Sequence, residues 1–416
     1  MIDKLVTISL RAFSAIIVFI SSVLIARNLQ VENVGHYNLM LNVVTILAVL
    51  CNLGYGTQIL KITSSHISDN PLGVRSFLGT RNRIVFVFSL IIISLIMGLS
   101  ILINQDDSIF PNNSFLIIST TICFAALLNN FSSCIHGANK FHSMVIGQNI
   151  LIPLSMVVFI LASSLLKVDL NLEMAVTSYV CAVIIALAFS YLVTKRLFKE
   201  KEESAREYID IKTEPKANLD FLSVSIMTIM QSHGVLFIIG SSIDVKEYAY
   251  ISTALKLANV ITFIYVSILI LFKPSFSRLF HEEKHDHLKS TVKKATKSIL
   301  ACTVIIIVSL FLFSKDILAL YGNEFIQAEP YLKILLIAYV INCIAIVPMN
   351  VLLMTGYQKD VKNTFIFSLI LSLILAFLLP KFFSSIGAAI ALVISLSLQN
   401  AISFIIFKKK FGYYSF

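Results

Sequence analysis

The sequence predicts an all-α polytopic membrane protein with about 12 transmembrane helices in two six-helix lobes related by pseudo-two-fold symmetry along the membrane normal. Three observations support this fold class: the composition, the spacing of long apolar runs, and a weak internal repeat. Hydrophobic residues make up 57% of the chain and charged residues 13%, whereas a soluble globular protein carries roughly 25% charged residues. The chain is therefore too apolar for a soluble or disordered protein.

Apolar runs define the individual membrane spans, because a spanning helix needs about 20 mostly apolar residues. Twelve runs meet this requirement, near residues 5–26, 36–60, 84–103, 114–136, 143–166, 172–194, 219–241, 249–272, 298–314, 331–354, 363–380 and 386–407. The first run is too long for the core of a signal peptide, so we expect it to remain as a helix.

The distribution of Lys and Arg predicts the orientation, since cytoplasmic loops are enriched in both. With the N-terminus in the cytoplasm, 25 basic residues lie inside and six outside. An even number of spans then places both termini in the cytoplasm. The net charge of +10 would suggest a nucleic-acid partner in a soluble protein. Here no hydrophilic domain carries it, and we expect no nucleic acid.

A weak repeat divides the predicted spans into two halves. Asn33-Val34-Gly35-His36-Tyr37 recurs as Glu247-Tyr248-Ala249-Tyr250-Ile251, and Gly137-Ala138-Asn139-Lys140 recurs as Gly356-Tyr357-Gln358-Lys359. Parallel repeats of this kind are common in transporters. We predict an N-terminal lobe over residues 1–197, a solvated cytoplasmic linker over 198–217 and a C-terminal lobe over 218–416.

Two basic residues lie inside the predicted spans, Arg11 and Lys256, and none of the 23 acidic residues does. Ion pairing within the membrane is therefore not available to either cation, although an intramembrane charge is costly unless hydrated or paired. Polar residues at helical spacing accompany both: Thr7 and Ser14 around Arg11, and Ser252, Thr253 and Asn259 around Lys256. We interpret both cations as lining a hydrated cavity that receives an anion. The alternative is that they snorkel to an interface.

Other polar residues in or near the spans have two interpretations each. Arg27, at the outer end of the first span, is either a contact for an anionic head group or an interfacial anchor. His233 in the seventh span is a candidate for proton coupling or a hydrogen-bonded packing residue. Further amides near the cytoplasmic ends of the fourth and fifth spans bind sugar hydroxyls or bond neighbouring helices; these are Asn129, Asn130, Gln148 and Asn149.

Metal and redox chemistry have little support in the sequence. The six cysteines are scattered singly through apolar runs, as expected of small buried hydrophobic residues. His281-Glu282-Glu283-Lys284-His285 satisfies the zinc-protease pattern H-E-x-x-H, which requires a helix, a third ligand and a shaped cavity. Because it lies in a highly charged loop, we expect no catalytic metal, no cofactor and no enzyme activity from it.

Several segments resemble one family across nearly the whole chain. They are Ala26-Arg27-Asn28-Leu29 with Gly35-His36-Tyr37, Leu53-Gly54-Tyr55-Gly56-Thr57, Pro274-Ser275-Phe276-Ser277-Arg278-Leu279, Gly322-Asn323-Glu324-Phe325-Ile326-Gln327-Ala328 and Gly387-Ala388-Ala389-Ile390-Ala391. These segments are similar to signatures of bacterial polysaccharide transporters, and the chain resembles the Wzx-type O-antigen flippases of the multidrug/oligosaccharidyl-lipid/polysaccharide superfamily. One departure is Gln231-Ser232-His233, where family members often carry Q-x-D.

The resemblance implies that undecaprenyl pyrophosphate-linked O-antigen repeat units are flipped across the bacterial inner membrane by alternating access. It implies the lipid bilayer, an O-antigen polymerase and a chain-length regulator as surroundings and partners. Two alternatives stay open. A multidrug or cation antiporter of the same superfamily generally needs an intramembrane carboxylate, which this chain lacks. A membrane polymerase or glycosyltransferase would be expected to carry a large outer loop or acidic residues near the membrane surface.

Overall fold

The computed structural model describes the backbone of residues 2–102, 112–167, 170–202 and 215–416, and the side chains of most of these. All regular structure in these ranges is helical. The central part of the predicted cytoplasmic linker, residues 203–214, lies outside the described residues. The described ends of that linker are helical, because the preceding helix continues to Glu202 and the following one begins at Pro215.

Seventeen α-helices follow one another along the described chain. They are α1 (Ile2–Asn28), α2 (Val31–Cys51), α3 (Tyr55–His66), α4 (Pro71–Leu102), α5 (Asn112–Ser119), α6 (Thr121–Gly137), α7 (Phe141–Val145), α8 (Leu151–Leu165), α9 (Leu172–Glu202), α10 (Pro215–Ile229), α11 (Val235–Gly240), α12 (Val245–Ala258), α13 (Val260–His281), α14 (His285–Leu312), α15 (Ser314–Ala319), α16 (Glu329–Met354) and α17 (Gln358–Phe411). Two π-helical segments, Ile146–Ile150 and Met230–Gly234, join α7 to α8 and α10 to α11.

The number of membrane spans agrees with the prediction. Among the described residues, 11 helical stretches are long and apolar enough to cross a membrane. The last, Gln358–Phe411, is two helices joined at non-helical Phe383 and Ser384. The chain therefore has twelve candidate spans and is confirmed as an all-α polytopic membrane protein.

The second predicted span, residues 36–60, is wrong in its extent. Its helix α2 ends at Cys51 because Leu53 and Gly54 adopt positive φ angles of 51° and 78°. The chain then restarts as the separate helix α3. A β-carbon on Gly54 would lie 2.5 Å from the backbone nitrogen of Leu222 in α10. This glycine therefore permits both the turn and the close approach of α10.

Proline explains the local irregularity of the fifth span. Pro153 has no backbone N–H, so it cannot donate to the carbonyl of Asn149 four residues earlier. The π-helical segment Ile146–Ile150 lies immediately before it. The freed carbonyl of Asn149 accepts a hydrogen bond from the Ser14 hydroxyl of α1 at 3.1 Å. The irregularity thus provides a direct polar contact between the first and fifth spans.

The described chain divides into two compact units, Met1–His233 and Gly234–Phe416. The boundary lies inside the seventh span, and α10 packs on α2 and α3 within the first unit. The compact units therefore assign residues 218–233 to the first unit, whereas the predicted lobes begin the second at 218. The boundaries of the two six-helix lobes and the pseudo-two-fold symmetry between them remain predictions.

Each unit has its own central helix. In the first unit, α6 packs against α2, α3, α4 and α9. Gly137 at the end of α6 lets it approach α3, since a β-carbon there would lie 2.7 Å from the Leu60 carbonyl oxygen. In the second unit, α16 packs against α12, α13, α14 and α17 and is the most buried of the candidate spans in the described chain.

Two of the family-like segments have a direct structural role in the second unit. Gly322 has φ 128° and ψ 152°, a conformation open essentially to glycine alone. It begins the 3₁₀ segment Asn323–Ala328, whose buried Phe325 packs edge-on against Tyr250 at 5.9 Å between ring centroids. A β-carbon on Gly387 would lie 2.2 Å from the Leu379 carbonyl oxygen at the break in α17. Both glycines therefore fix the path of the backbone.

Candidate functional site

Lys256 is a basic residue placed deep within a spanning segment. It lies in α12, within the candidate span Val245–His281 of 37 residues. At 1.5 Å per residue, its 11 residues from Val245 correspond to about 16 Å along the helix axis. The flanking Leu255 and Leu257 are buried, whereas the Lys256 side chain is exposed. The ammonium group is thus carried on the accessible side of α12.

Asn259 shares that accessible side, three residues further along. It interrupts the helix between α12 and α13 and is exposed. Its side-chain oxygen accepts a hydrogen bond from the buried Tyr339 hydroxyl of α16 at 2.6 Å. Ser252 and Thr253 are buried instead, so the expected polar stripe around Lys256 is reduced to Asn259. Sequence spacing could not show this, because it does not reveal which face of α12 packs on the unit.

Arg11 lies in a different setting, near the end of a span. Its guanidinium carbon is 5.7 Å from the ring centroid of Phe141, the first residue of the candidate span Phe141–Leu165. The Phe141 ring also packs edge-on against His136 at 4.7 Å. The Arg11 Nε atom is buried and has no hydrogen-bond partner among the described residues. Arg11 therefore combines a cation–π contact with a buried guanidinium donor that no described residue satisfies.

Arg27 lies in the last turn of α1 and is exposed. A cation in this position interacts favourably with the negative end of the helix dipole. Among the contacts described for the first unit, none joins Arg11 to Arg27. The assignment of the predicted residues to substrate binding remains a prediction.

His233 is held by a hydrogen bond within the first unit. Its Nδ1 atom lies 2.6 Å from the Asn42 side-chain oxygen of α2. Asn42 is buried, and His233 belongs to the π-helical segment Met230–Gly234. This contact matches the packing interpretation of the histidine. The π-helical segment is notable because such segments often occur at functional sites.

A network of asparagine carboxamides links α3, α4 and α6 of the first unit with the turn that follows α2. Asn130 in α6 donates to Asn82 in α4 at 2.9 Å, and its oxygen accepts from Asn52 at 2.8 Å. The Asn52 oxygen in turn accepts from the backbone N–H of Gly56 at 2.7 Å. Asn130 is thus bonded to neighbouring helices. Asn52 and Asn82 were not singled out from the sequence, since amides in short breaks or near loops carry no distinctive pattern.

Beside this network lies a small polar cleft of about 140 Å³. Its lining includes Asn52, Thr57, Asn129, Ser133 and Ser225. Asn129, one of the amides considered for sugar contact, therefore reaches a cleft, whereas its neighbour Asn130 is buried in the network. The structure separates two adjacent residues that the sequence treats alike.

The H-E-x-x-H pattern does not form a zinc-protease helix. His281 ends α13, Glu283 has a positive φ of 55°, and His285 begins α14. The hydrogen bond and charge of Lys284 hold the pKa of the Glu282 carboxyl below its usual range, and Glu282 also faces Arg278. In the described part of the chain, no group of three or more candidate ligands is arranged to hold a metal.

The fold and these sites define a multi-pass membrane protein with charged and polar groups carried on spanning helices. The family of polysaccharide biosynthesis proteins matches residues 3–280, and the chain belongs to this family. The MatE family matches residues 221–378. No curated protein matches the chain.

Solved structures of the same fold cover nearly all of the chain. The lipid II flippase MurJ in an inward closed conformation has a TM-score of 0.72 and 15% identity, covering 99% of this chain and 89% of its own. An inward-facing multidrug resistance MATE family transporter has a TM-score of 0.68 and 14% identity, covering 98% of both chains. A MOP superfamily transporter from Pyrococcus furiosus has a TM-score of 0.62 and 12% identity, covering 98% and 95%. The chain therefore has the MOP superfamily fold.

Proposed function

We propose that the protein is a Wzx-type flippase that moves undecaprenyl pyrophosphate-linked O-antigen repeat units from the cytoplasmic to the periplasmic leaflet of the bacterial inner membrane. The family match over residues 3–280 and the similarity of fold to the lipid II flippase MurJ support a lipid-linked saccharide as the class of cargo. The excess of basic residues on one side supports cytoplasmic termini.

The observation that carries the proposal is the exposed Lys256 within a candidate span. No acidic residue of the sequence lies within a predicted span, so an anionic cargo would supply the opposite charge that the spans lack. Pyrophosphate meets this requirement because its oxygens accept charge-assisted hydrogen bonds from ammonium and guanidinium groups.

The proposed transport cycle is alternating access through a cationic central cavity. Arg11 and Lys256 attract the pyrophosphate, Asn259 bonds neighbouring oxygens, and Arg27 contacts the head group near the outer side. The polyprenyl tail stays in the lipid, since transferring its apolar surface into a polar cavity would be unfavourable. Side-chain contacts alone retain the cargo, and no bond is made or broken.

A sidedness assay tests this function directly. Purified protein is reconstituted in vesicles with lipid-linked oligosaccharide, and the fraction accessible to an external glycan-modifying enzyme is followed over time. The expected result is faster exposure of intact glycan than in vesicles without protein. A chemically altered or lengthened glycan would instead show a polymerase or glycosyltransferase, and unchanged sidedness would contradict a flippase.

A multidrug or cation antiporter is the second candidate, since the MATE family transporters share the fold. The cations on the spanning helices disfavour a cationic cargo because like charges repel. The same vesicles, loaded with a fluorescent organic cation under a proton or sodium gradient, distinguish the two functions. Gradient-driven cation accumulation without movement of the lipid-linked glycan would favour the antiporter.

A further inference from the structure

The N-terminal half of α14 presents a basic surface that the proposed transport cycle does not use. We define the lysine face as the residues that line an open cleft of about 560 Å³ along this helix: Asp286, Lys289, Ser290, Lys293, Lys294, Lys297 and Ser298. Four lysines oppose one carboxylate, so the face has a net charge of +3. Its chemistry therefore fits an anion.

The packing of α14 fixes the direction in which the lysine face points. Leu288, Val292, Ala295 and Ile299 lie on the opposite side of the helix and are buried against the second unit. Lys289 is also held near the C-terminal tail, with its Nζ atom 5.3 Å from the ring centroid of Tyr413. The lysines thus project from a helix whose rotation is set by its core contacts.

The exposed side of α14 changes its chemistry after Ser298. The exposed residues of the following turns are apolar, and they include Val304, Ile305, Val308 and Leu312. A single exposed helix side is therefore cationic over its first half and apolar over its second half. This order, a cationic surface followed by an apolar one, matches a phospholipid, in which a phosphate head group is joined to acyl chains.

The general enrichment of Lys and Arg in cytoplasmic loops does not account for this arrangement. That tendency concerns the number of basic residues on one side of the membrane. This tendency does not require four lysines to lie on the same side of one helix beside a cleft. Nor does it require the same side of the helix to continue as an apolar surface. A soluble anion would likewise have no use for the apolar continuation.

We propose that the lysine face of α14 binds the phosphate head group of an anionic phospholipid, whose acyl chains lie along the apolar side of the same helix. The lysines supply charge and hydrogen-bond donors to the phosphate oxygens, while Ser290 and Ser298 add neutral donors. Asp286 lies at the end of the face away from the apolar segment and opposes an anion only locally. The bound lipid would be a resident of the protein, distinct from its cargo.

Lipid binding to the full-length protein in detergent micelles tests the proposal. Cardiolipin is titrated and the bound fraction is measured by native mass spectrometry, with phosphatidylcholine and soluble glycerol phosphate as comparison probes. The variant combines Lys289→Gln, Lys293→Gln and Lys297→Gln. A matched control removes the same charge from exposed lysines elsewhere in the second unit, through Lys359→Gln, Lys362→Gln and Lys409→Gln.

The expected result is cardiolipin binding that weakens at least about tenfold in the face variant, since each basic residue near a membrane surface contributes about fivefold to anionic-lipid affinity. The control variant should bind within about twofold of the unmodified protein. Binding to the unmodified protein should also weaken as salt is raised, which requires no variant.

Four results would overturn the proposal. The face variant could bind cardiolipin as well as the unmodified protein does, or both triple variants could lose affinity equally, which would show a dependence on net charge alone. Alternatively, glycerol phosphate could compete with cardiolipin at comparable concentration, which would identify a site for soluble anions. Undecaprenyl phosphate is the last probe: preferential binding of it over cardiolipin would reassign the face to the cargo lipid.

Discussion

The surroundings of Arg11 and Lys256 differ, although both are cations on spanning helices. Arg11 is half-buried beside Phe141, at the beginning of the fifth span, and its Nε atom is enclosed. Lys256 is exposed between two buried leucines, 11 residues into its candidate span of 37 residues. In the proposed transport cycle, the two cations would therefore meet the cargo under different conditions of burial and exposure.

This difference suggests distinct parts in the proposed transport cycle. A cation near the cytoplasmic end of a span meets the pyrophosphate early, so it contributes mainly to capture. A cation further inside a span faces the anion where the surrounding lipid makes an uncompensated charge more costly. We therefore expect Lys256 to influence the rate of translocation and Arg11 to influence the concentration of cargo needed.

Removal of the Lys256 ammonium group should give the largest effect on the flipping rate. We predict that Lys256→Ala lowers the maximal flipping rate in vesicles by at least about tenfold, because a hydrogen bond to a charged group contributes roughly 1.5–3 kcal/mol. Lys256→Arg should retain most of the rate. Unchanged flipping by Lys256→Ala at equal protein content would remove the main support for a cationic path.

The next effect concerns the hydrogen bond that positions Asn259 beside Lys256. We predict that Tyr339→Phe lowers the flipping rate about threefold to fivefold, since losing one buried hydrogen bond costs about 1 kcal/mol. The matched control is Tyr331→Phe, which removes a tyrosine hydroxyl in the first turn of α16, where it bonds Glu247 and Ser385. Equal losses in both variants would point to general destabilisation, which thermal unfolding in detergent would reveal.

Arg11 should give a smaller effect of a different kind. We predict that Arg11→Ala raises the half-saturating concentration of lipid-linked oligosaccharide about threefold while changing the maximal rate little, because a partly exposed ion contact is worth about 0.2–1 kcal/mol. Combining it with Lys256→Ala tests whether the effects are additive. A fall in maximal rate as large as that of Lys256→Ala would abolish the distinction between the two sites.

His233 should give the smallest effect if it is a packing residue. We predict that His233→Gln keeps the flipping rate within about twofold, because the Gln amide can donate to the Asn42 oxygen in place of the imidazole. The flipping rate of the variant should also respond to external pH in the same way as that of the unmodified protein. A variant that flips normally at zero gradient but no longer responds to a proton gradient would instead assign proton coupling to His233.

The sequence predicted the class of fold well because membrane partitioning is local along the chain. Each span is recognisable from about 20 apolar residues without knowledge of its neighbours. Its helix ends were less accessible, as the second span shows. Apolar residues continue through Tyr55-Gly56-Thr57, yet positive φ angles at Leu53 and Gly54 divide the run into two helices. A backbone turn of two residues hardly alters the average hydropathy.

The sequence also identified the cations and amides in the spans, but it could not predict which of these side chains lie together and which are buried. Asn129 and Asn130 are adjacent, yet one lines a cleft and the other bonds Asn52 and Asn82 from two other helices. Ser252 and Thr253 share helical spacing with Lys256, yet both are buried while the lysine is exposed. Such differences depend on which side of each helix faces its own unit.

By itself, the sequence determined that the chain spans the membrane about twelve times, that its acidic residues avoid the spans, and that Arg11 and Lys256 remain inside them. These features follow from the free energy of transferring each residue type into lipid, which depends mainly on composition. The tertiary structure alone decided the accessibility of each cation, the partner of His233 and the exposed side of α14. Those features depend on helix rotation and close packing, which contacts between residues distant in sequence determine.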